Sequence, residues 1–285
     1  MTTTINSLKS YKTPLRYPGG KSRACKKMEP YIPDLRDYEV YYEPFLGGGS
    51  VALHITKKYP KLKIVVNDLY EPLYNFWLQL QVNGDYVHSQ LQQLKSRFPD
   101  RGSARGLFED AKEKLYDLDT IDKDRAVCFY IVNKCSFSGL TESSSFSEQA
   151  SDANFSMKGI DKLPVYSKLI EDWYITNVDY RHLLGDKEKT FIYLDPPYDI
   201  KDNLYGRKGS IHKKFDHDNF AKACEIYNSE MLISYNSDQL VKDRFKDWNC
   251  AEFDLTYTMR SVGEYMRNQK TRKELLLFNY KLGIF

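Results

Sequence analysis

The order of apolar and polar residues predicts an α/β protein. Short apolar runs rich in β-branched and aromatic residues, which are typical of strands, occur at residues 38–43, 61–66, 173–178, 191–194, 231–235, 250–257 and 273–280. Apolar residues at helical spacing occur between them, at residues 22–31, 50–58, 217–227 and 238–245. Strands that alternate with helices are typical of a sheet with helices packed on its faces.

This alternation stops after the second predicted strand. Helical patterns follow one another there, at residues 71–81, 86–98, 104–118 and 122–133. A polar tract rich in Ser and Gly then covers residues 136–158, which we interpret as a loop, and a loop of that length is usually functional or disordered. We therefore predict an inserted, mainly helical domain at residues 76–165 and a discontinuous catalytic domain formed by residues 1–75 and 166–285.

The predicted strand at residues 191–194 ends on a carboxylate, Asp195, followed by Pro196, Pro197 and Tyr198. Two prolines end the strand and fix the backbone, and open α/β sheets bind their ligands at the carboxyl ends of strands. A carboxylate, a fixed carbonyl and an aromatic ring suit a planar heterocycle that bears an amino group. The alternative is a strand that ends in an ordinary solvated turn.

A second candidate site follows the first predicted strand. Gly47, Gly48 and Gly49 precede a helix, and Asp68 lies at the tip of the next strand. Nucleotide-binding α/β folds place a glycine loop and a ribose-binding acid in these positions, so the pair predicts an adenosine-containing cofactor. The glycine spacing of dinucleotide-binding proteins is absent, which argues against nicotinamide or flavin. A plain strand-to-helix turn is the alternative.

Charge is distributed unevenly along the chain. The 285 residues carry 42 Lys and Arg against 39 Asp and Glu, a formal net charge of +3. Basic residues cluster before residue 30, at 201–214 and at 260–273. A single cluster is usually a solvated face, but three in one chain favour a nucleic-acid partner.

Several classes of protein are disfavoured. The five cysteines are scattered and the five histidines lack metal-ligand spacing, so we predict reduced thiols and no metal site. No apolar run approaches the length of a membrane helix, and the polar first ten residues lack the apolar core of a signal peptide. We expect an intracellular, cytoplasmic protein.

Taken together, the motifs resemble those of the adenine-specific DNA methyltransferases of the DNA adenine methylase type, the D12 class. They occur in the order of that family. They are Tyr17-Pro18-Gly19-Gly20-Lys21, Glu43-Pro44-Phe45-Leu46-Gly47-Gly48-Gly49-Ser50, Asn67-Asp68, Asn133-Lys134-Cys135-Ser136-Phe137-Ser138-Gly139 and Asp195-Pro196-Pro197-Tyr198. The fourth looks like the family's Asn-Arg-x-x-Phe-Asn-Gly stretch.

The resemblance implies a Rossmann-like, seven-stranded methyltransferase fold with an inserted, mainly helical target-recognition domain. It implies S-adenosylmethionine as the cofactor, with Asp68 at its ribose and Asp179 at its adenine. The remaining residues implied to bind the cofactor are Tyr17, Gly19, Gly20, Lys21, Phe45, Gly47, Gly48, Gly49 and Asp195.

The implied reaction is methylation of the exocyclic amino nitrogen of adenine in double-stranded DNA. Asp195 and the Pro196 carbonyl would accept the amino hydrogens, which localises the nitrogen lone pair and stabilises the developing positive charge. Tyr198 would stack on a base flipped out of the duplex. Direct in-line transfer needs no metal and no covalent intermediate.

DNA contacts are predicted in four places. Lys21 has a second candidate role at a phosphate, and the basic clusters at residues 201–214 and 260–273 are candidates for phosphate contacts. Polar side chains of the insert, together with Arg260, are candidates for base edges. These candidates are Asn133, Ser136, Ser138, Thr141, Arg207, Lys208, Arg260, Arg267 and Lys270. Because Ser138 stands where the family usually has Asn, the target sequence stays open.

Other readings remain open. The same Asp-Pro-Pro-Tyr chemistry serves an RNA amino-methyltransferase, and a silent DNA-binding regulator could use the same scaffold. Methylation of the cytosine amino group is disfavoured, since that class usually has Ser in place of Asp195. We expect duplex DNA as the partner, a monomer with a dimer left open, and a restriction endonuclease as a candidate partner of the same system.

Overall fold

A seven-stranded mixed sheet forms the centre of the computed structural model, which describes residues 12–17, 19–137, 145–198, 215–255 and 272–282. The strand order is β3-β2-β1-β4-β5-β7-β6. Strand β7 runs antiparallel to both β5 and β6, and the other described pairs are parallel. The strands are β1 (Val40–Glu43), β2 (Lys63–Asn67), β3 (Tyr174–Thr176), β4 (Thr190–Leu194), β5 (Glu230–Asn236), β6 (Asn249–Leu255) and β7 (Arg272–Phe278). The α/β prediction is confirmed.

Strand β1 lies in the middle of the sheet, between β2 and β4. The order of the strands reverses at this point, because the chain first builds outward to β3 and then returns to the other side of β1. Ligands of open α/β sheets bind at such a switch point, outside the carboxyl ends of the strands. Both candidate sites of the sequence, the glycine loop after β1 and Asp195 after β4, therefore lie at one edge.

The two faces of the sheet belong to two apolar cores. Side chains of a strand alternate between faces, so Phe191 and Tyr193 of β4 enter the first core while Ile192 and Leu194 enter the second. All five residues of β4 are buried, as expected for a parallel strand covered on both faces.

Helices cover each face. The second core is covered by α10 (His217–Glu225) and α11 (Gln239–Arg244), and the first includes residues of α1 (Cys25–Met28) and α2 (Ser50–Lys58). The single helix predicted at residues 22–31 is wrong in detail. It is divided into a 3₁₀ turn at Lys21–Arg23, α1, and a second 3₁₀ turn at Glu29–Tyr31, where Pro30 lacks the amide hydrogen that a continuing helix needs.

The chain between β2 and β3 is helical where it is described. Its helices are α3 (Glu71–Val82), α4 (Gly84–Arg97), α5 (Arg101–Lys114), α6 (Asp122–Cys135), α7 (Glu148–Asn154), α8 (Met157–Ile160) and α9 (Leu163–Leu169). Helix α6 is buried on all sides from Ala126 onward, and its side chains share the first core with the sheet. The division into domains at residues 76 and 165 stays a prediction.

The loop predicted at residues 136–158 is wrong over α7 and α8. Both short helices begin at a serine whose hydroxyl accepts a hydrogen bond from the third amide along, Ser147 from Ala150 and Ser156 from Gly159. Such caps satisfy amides that the first turn leaves unpaired, and the serine content that suggested a loop partly reflects them. Across the described ranges, no helix has both the length and the apolar character to span a membrane.

Candidate active site

Four neighbouring strands place polar side chains on one face of the sheet at its functional edge. These side chains are Glu43 of β1, Asp195 after β4, Ser234 of β5 and Glu274 of β7. Each lies two residues from a side chain of the first core on its own strand, and therefore on the same face of the sheet. Polar groups at this depth need partners, since burying them without hydrogen bonds is costly. The partners that they find define the site.

The carboxylate of Asp195 is held from two sides. Its Oδ1 accepts a hydrogen bond from Ser234 Oγ at 3.0 Å, and the Lys21 ammonium lies 2.8 and 2.9 Å from Oδ1 and Oδ2. Ser234 Oγ in turn lies 2.8 Å from the Tyr193 hydroxyl. The Asp195 side chain is 21% exposed, so this carboxylate is fixed in position and still open to a ligand.

Lys21 is the cation at the centre of the site. Only 3% of its side chain is exposed, and its Nζ donates to the Gly19 carbonyl at 3.2 Å and to the Tyr198 hydroxyl at 2.6 Å. Its Nζ also lies 3.4 Å from Glu274 Oε1, which accepts the Tyr198 hydroxyl at 2.5 Å. We call Lys21, Asp195, Tyr198, Ser234 and Glu274 the charge cluster. The structure places Lys21 here, against carboxylates, and its predicted phosphate contact stays a prediction.

Burial and charge set the protonation of these carboxyl groups. Burial raises the pKa of Asp195, Lys21 opposes that rise, and the negative charge of Glu274 adds to it. Burial also raises the pKa of Glu43 well above its usual range. Glu43 accepts hydrogen bonds from the Tyr41 hydroxyl at 2.5 Å and from the backbone amide of Ala52. The Glu43 carboxyl therefore satisfies one amide in the first turn of α2.

The glycine loop is shaped by two aromatic rings. Gly47 and Gly49 have φ angles of +49° and +69°, which side chains rarely adopt. A Cβ atom on Gly47 would lie 2.9 Å from Cε1 of Tyr17, and one on Gly49 would lie 2.7 Å from Cζ2 of Trp77. Close packing of these rings therefore requires the glycines. The fold places Tyr17 against Gly47 and Gly48. The contact of Tyr17, Gly19 and Gly20 with a cofactor stays a prediction.

Asp68 fixes the glycine loop to the end of β2. Its Oδ2 accepts the Gly47 amide at 2.8 Å and its Oδ1 accepts the Tyr70 amide at 2.9 Å. Burial raises the pKa of Asp68 to about 6. Each oxygen keeps a second lone pair, so these bonds leave room for the ribose contact that the sequence predicts.

Asp179 lies after β3, where it caps the 3₁₀ turn Tyr180–His182 and forms an ion pair with Arg181 at 2.8 Å. The hydrogen bonds from Arg181 lower the pKa of Asp179. Beside it, the ring centroid of Phe45 lies 5.3 Å from that of Tyr180 and 5.8 Å from that of Phe215. The three rings are partly exposed and form an aromatic cluster at the sheet edge.

Two of the predicted base-reading residues are corrected by the structure. Asn133 and Ser136 are fully buried at the end of α6. The Asn133 amide accepts the Arg16 backbone N–H at 2.9 Å and donates to the Arg16 carbonyl at 2.6 Å, while the Ser136 carbonyl accepts Arg16 Nη1 at 2.7 Å. The Asn133 side chain and the Ser136 carbonyl thus hold the segment around Arg16, and the two buried side chains do not present themselves to a base edge.

Lys134 lies beside this anchor. Its side chain is 9% exposed, and burial, followed by the charge of Arg16, lowers its pKa to about 7. We call Arg16, Asn133, Lys134 and Ser136 the basic cluster. The other predicted DNA contacts lie outside the described residues, and they are Ser138, Thr141, Arg207, Lys208, Arg260, Arg267 and Lys270.

The sequence interpretation missed Glu274, Ser234, Tyr180 and Phe215. Glu274 carried a signal, because an acid at a position that alternates with Leu276 and Phe278 must lie on a buried face. Ser234 carried a similar one inside an apolar strand. Tyr180 and Phe215 gave none, since single aromatic residues in connecting segments are common.

Comparison with known proteins gives a consistent result. The sequence matches the family described as D12 class N6 adenine-specific DNA methyltransferase over residues 17–259. The type II methyltransferase M.MjaIII of Methanocaldococcus jannaschii is 26% identical to this chain. The alignment is 300 residues long and covers 93% of this chain and 98% of that protein. The type II methyltransferase M.CviBI of Paramecium bursaria Chlorella virus NC1A is 20% identical, with the same two coverages.

A third relative is longer than this chain. The modification methylase StsI of Streptococcus sanguinis is 22% identical to this chain. The alignment is 308 residues long and covers 99% of this chain and 45% of that protein. The match with this chain therefore accounts for about half of StsI.

Proposed function

Because the chain belongs to the D12 class N6 adenine-specific DNA methyltransferases, we propose that it transfers a methyl group from S-adenosylmethionine to the exocyclic amino nitrogen of adenine at specific sites in double-stranded DNA. DNA methylation itself follows from the family. The proposal adds the cofactor, the form of the DNA, and the residues that carry out the reaction.

The observation that carries the proposal is the fixed carboxylate at the end of β4. Asp195 follows a fully buried strand, precedes two prolines and is held by Ser234 and Lys21. The adenine amino nitrogen is a poor nucleophile because its lone pair is delocalised into the ring. Asp195 and the neighbouring Pro196 carbonyl supply two acceptors for its hydrogens, and acceptors that are already in place stabilise positive charge without reorganisation.

The residues at the sheet edge fit an adenosine cofactor. A partly exposed carboxylate, Asp68, lies at the tip of β2 for ribose hydroxyls, and the rings of Phe45, Tyr180 and Phe215 offer apolar faces for a purine beside Asp179. Tyr17, Gly19, Gly20 and Lys21, with Gly47, Gly48 and Gly49, would hold the amino-acid end. S-adenosylmethionine, when bound, supplies a methyl group activated by its sulfonium.

Tyr198 would receive the target base. Its hydroxyl is bonded to Lys21 and Glu274, and its ring packs 5.8 Å from that of Tyr235, so the ring plane is fixed. A base inside a duplex cannot reach this carboxylate, so we propose that the adenine flips out and stacks on Tyr198. The chain then needs only to position the amine for direct in-line transfer, without a metal and without a covalent intermediate.

The deciding experiment compares Asp195→Ala with the wild-type chain. We expect wild-type protein to methylate adenine in duplex DNA, and the variant to keep cofactor and DNA binding while turnover falls by about 10³-fold, as for loss of a positioned electrostatic contact. Labelled methyl transfer, followed by nucleoside analysis, measures this. Unchanged turnover in the variant would refute the mechanism.

Two alternatives are tested in the same assay. Faster transfer to RNA than to duplex DNA of matched sequence would favour an RNA amino-methyltransferase. DNA binding without transfer by the wild-type chain would favour a silent regulator. The named relatives are type II and modification methyltransferases, which supports a role as the modification enzyme of a restriction system. Protection of methylated DNA from the endonuclease of that system would test that role.

A further inference from the structure

In the charge cluster, Lys21 and the substrate of the proposed reaction compete for the same carboxylate, Asp195. Lys21 lies within 2.9 Å of both Asp195 oxygens, and these are the atoms that would accept an amino hydrogen of adenine. An ammonium held by one carboxylate alone would compete directly with the substrate. A second anionic group near Lys21 would reduce that competition.

Glu274 occupies that second position. It is 1% exposed on β7, opposite Asn236 of β5, and its Oε1 lies 3.4 Å from Lys21 Nζ. The same oxygen accepts the Tyr198 hydroxyl at 2.5 Å, while that hydroxyl accepts a hydrogen bond from Lys21 at 2.6 Å. Glu274 thus contacts both groups that flank the carboxylate.

The direction of these hydrogen bonds is informative. The Tyr198 hydroxyl carries one hydrogen, and because it is donated to Glu274, a lone pair of the oxygen faces Lys21. An acceptor at position 274 therefore fixes both the Tyr198 ring and the donors of Lys21. Its negative charge also shares the attraction of the ammonium with Asp195.

We propose that Glu274 is a positioning residue for methyl transfer, which holds the Lys21 ammonium and the Tyr198 hydroxyl so that Asp195 can accept an amino hydrogen of the target adenine. This inference rests on the proposed function. It gives β7, which contains none of the sequence motifs, a role in the reaction.

The charge of Glu274 also acts on the ionisation of Asp195. The groups around Asp195 are Lys21 from the 3₁₀ turn, Glu274 from β7, Glu43 from β1, and Tyr193 and Tyr198 from its own segment. Glu274 raises the pKa of Asp195, so removal of its charge lets Lys21 lower that pKa further. The acid limb of the rate profile, which follows ionisation of Asp195, must then move to lower pH.

Glu274→Gln isolates the charge, because the amide oxygen can still accept the Tyr198 hydroxyl. We expect kcat to fall by about tenfold in this variant and by about 100-fold in Glu274→Ala, which also frees the Tyr198 ring, while KM for DNA changes by less than about threefold. The matched control is Glu252→Gln on the neighbouring strand β6, which pairs with Lys242 and lies outside the charge cluster. It should leave kcat and the pH profile unchanged.

A second measurement needs no turnover. Carbon-13 labelling of aspartate side chains, with Asp195 assigned from Asp195→Asn, reports the titration of this carboxyl directly in the wild type, Glu274→Gln and Glu252→Gln. We expect a shift to lower pH in Glu274→Gln alone. An inactive wild type that shows this shift would count against the proposed function and support the electrostatic role of Glu274.

Two results would overturn the inference. One is a Glu274→Gln variant with wild-type kcat. The other is a lower kcat with an unmoved Asp195 titration, since that pattern is what a purely structural residue gives. If Glu274→Gln fails to fold, as judged by circular dichroism, Tyr198→Phe provides the second variant, because it breaks the hydroxyl link while keeping the ring and the carboxylate. Wild-type kcat in Tyr198→Phe would then refute the inference.

Discussion

The charge cluster and the basic cluster each bury a lysine, but the charges that surround the two lysines differ in sign. Lys21 is 3% exposed and faces two carboxylates, Asp195 and Glu274. Lys134 is 9% exposed beside the Arg16 cation and over the Tyr130 ring, and no carboxylate contacts it among the described residues. Burial of a charge is costly unless it is paired. Carboxylates compensate the charge of Lys21, whereas among the described residues Lys134 has the weaker attraction of the Tyr130 ring.

A buried cation can therefore be either fixed by internal partners or held at a cost in stability. In the charge cluster every charge has an internal partner, so the groups are held in place before any substrate arrives. In the basic cluster the repulsion between Lys134 and Arg16 is relieved only when a proton leaves or an anion approaches. The same substitution, Lys to Met, should therefore have opposite effects at the two positions.

The largest effect is expected for Lys21→Met. Removing the cation leaves Asp195 and Glu274 buried together, and breaking a buried ion pair costs about 3–5 kcal/mol of unfolding free energy. Protonation of Asp195 relieves part of this cost, so the destabilisation should be smaller at pH 5 than at pH 8. Urea unfolding at the two pH values measures it. A variant as stable as the wild type at pH 8 would contradict the pairing described here.

Lys134→Met should instead stabilise the protein, by about 2 kcal/mol at pH 7, because an apolar side chain of similar length replaces a buried charge. The pH dependence has a definite sign. The pKa of Lys134 is lowered to about 7 in the folded chain, against about 10.5 when unfolded, so the unfolded chain binds more protons between these values.

The stability of the wild type relative to Lys134→Met should consequently rise from pH 7 to pH 10. Below pH 7 the lysine is charged in both states and its full cost is present. Thermal unfolding of both proteins across this range tests the sign, and a difference that stays constant with pH would refute the lowered pKa.

Asn133→Ala should have the smallest effect, a loss of about 1–2 kcal/mol, because it breaks two hydrogen bonds to the Arg16 backbone in a buried setting. Since Asn133 does not reach the surface, the DNA sequence methylated by this variant should be that of the wild type. Sequencing of methylated bases checks this. A changed target sequence would show that Asn133 does contact a base, contrary to its burial in the structure.

Much of the sheet could be predicted from the sequence because its signals are local. The apolar run before Asp195 and the turn residues after it are contiguous, and β4 is where the pattern places it. The glycine loop and Asp68 were recognisable for the same reason, and the structure adds that Asp68 is bonded to the Gly47 amide.

Contacts across the fold could not be predicted in this way. The partners of Lys21 are fixed by the pairing of β7 with β5, which no local pattern specifies. Asn133 carries a polar side chain in a motif, and only its burial against Arg16 shows that it serves the packing of the chain. Serine was ambiguous for a different reason, since the same residue favours loops and begins helices such as α7 and α8.

The antiparallel strand β7 also has a consequence for biosynthesis. It enters the sheet between β5 and β6, although it follows both of these strands in the chain. The ribosome has therefore synthesised Lys21, the glycine loop and Asp195 long before Glu274 exists, and pairings between distant segments form slowly. A nascent chain can fold its first strands without acquiring a complete charge cluster. Competence for methyl transfer should therefore appear only after β7 has inserted between β5 and β6.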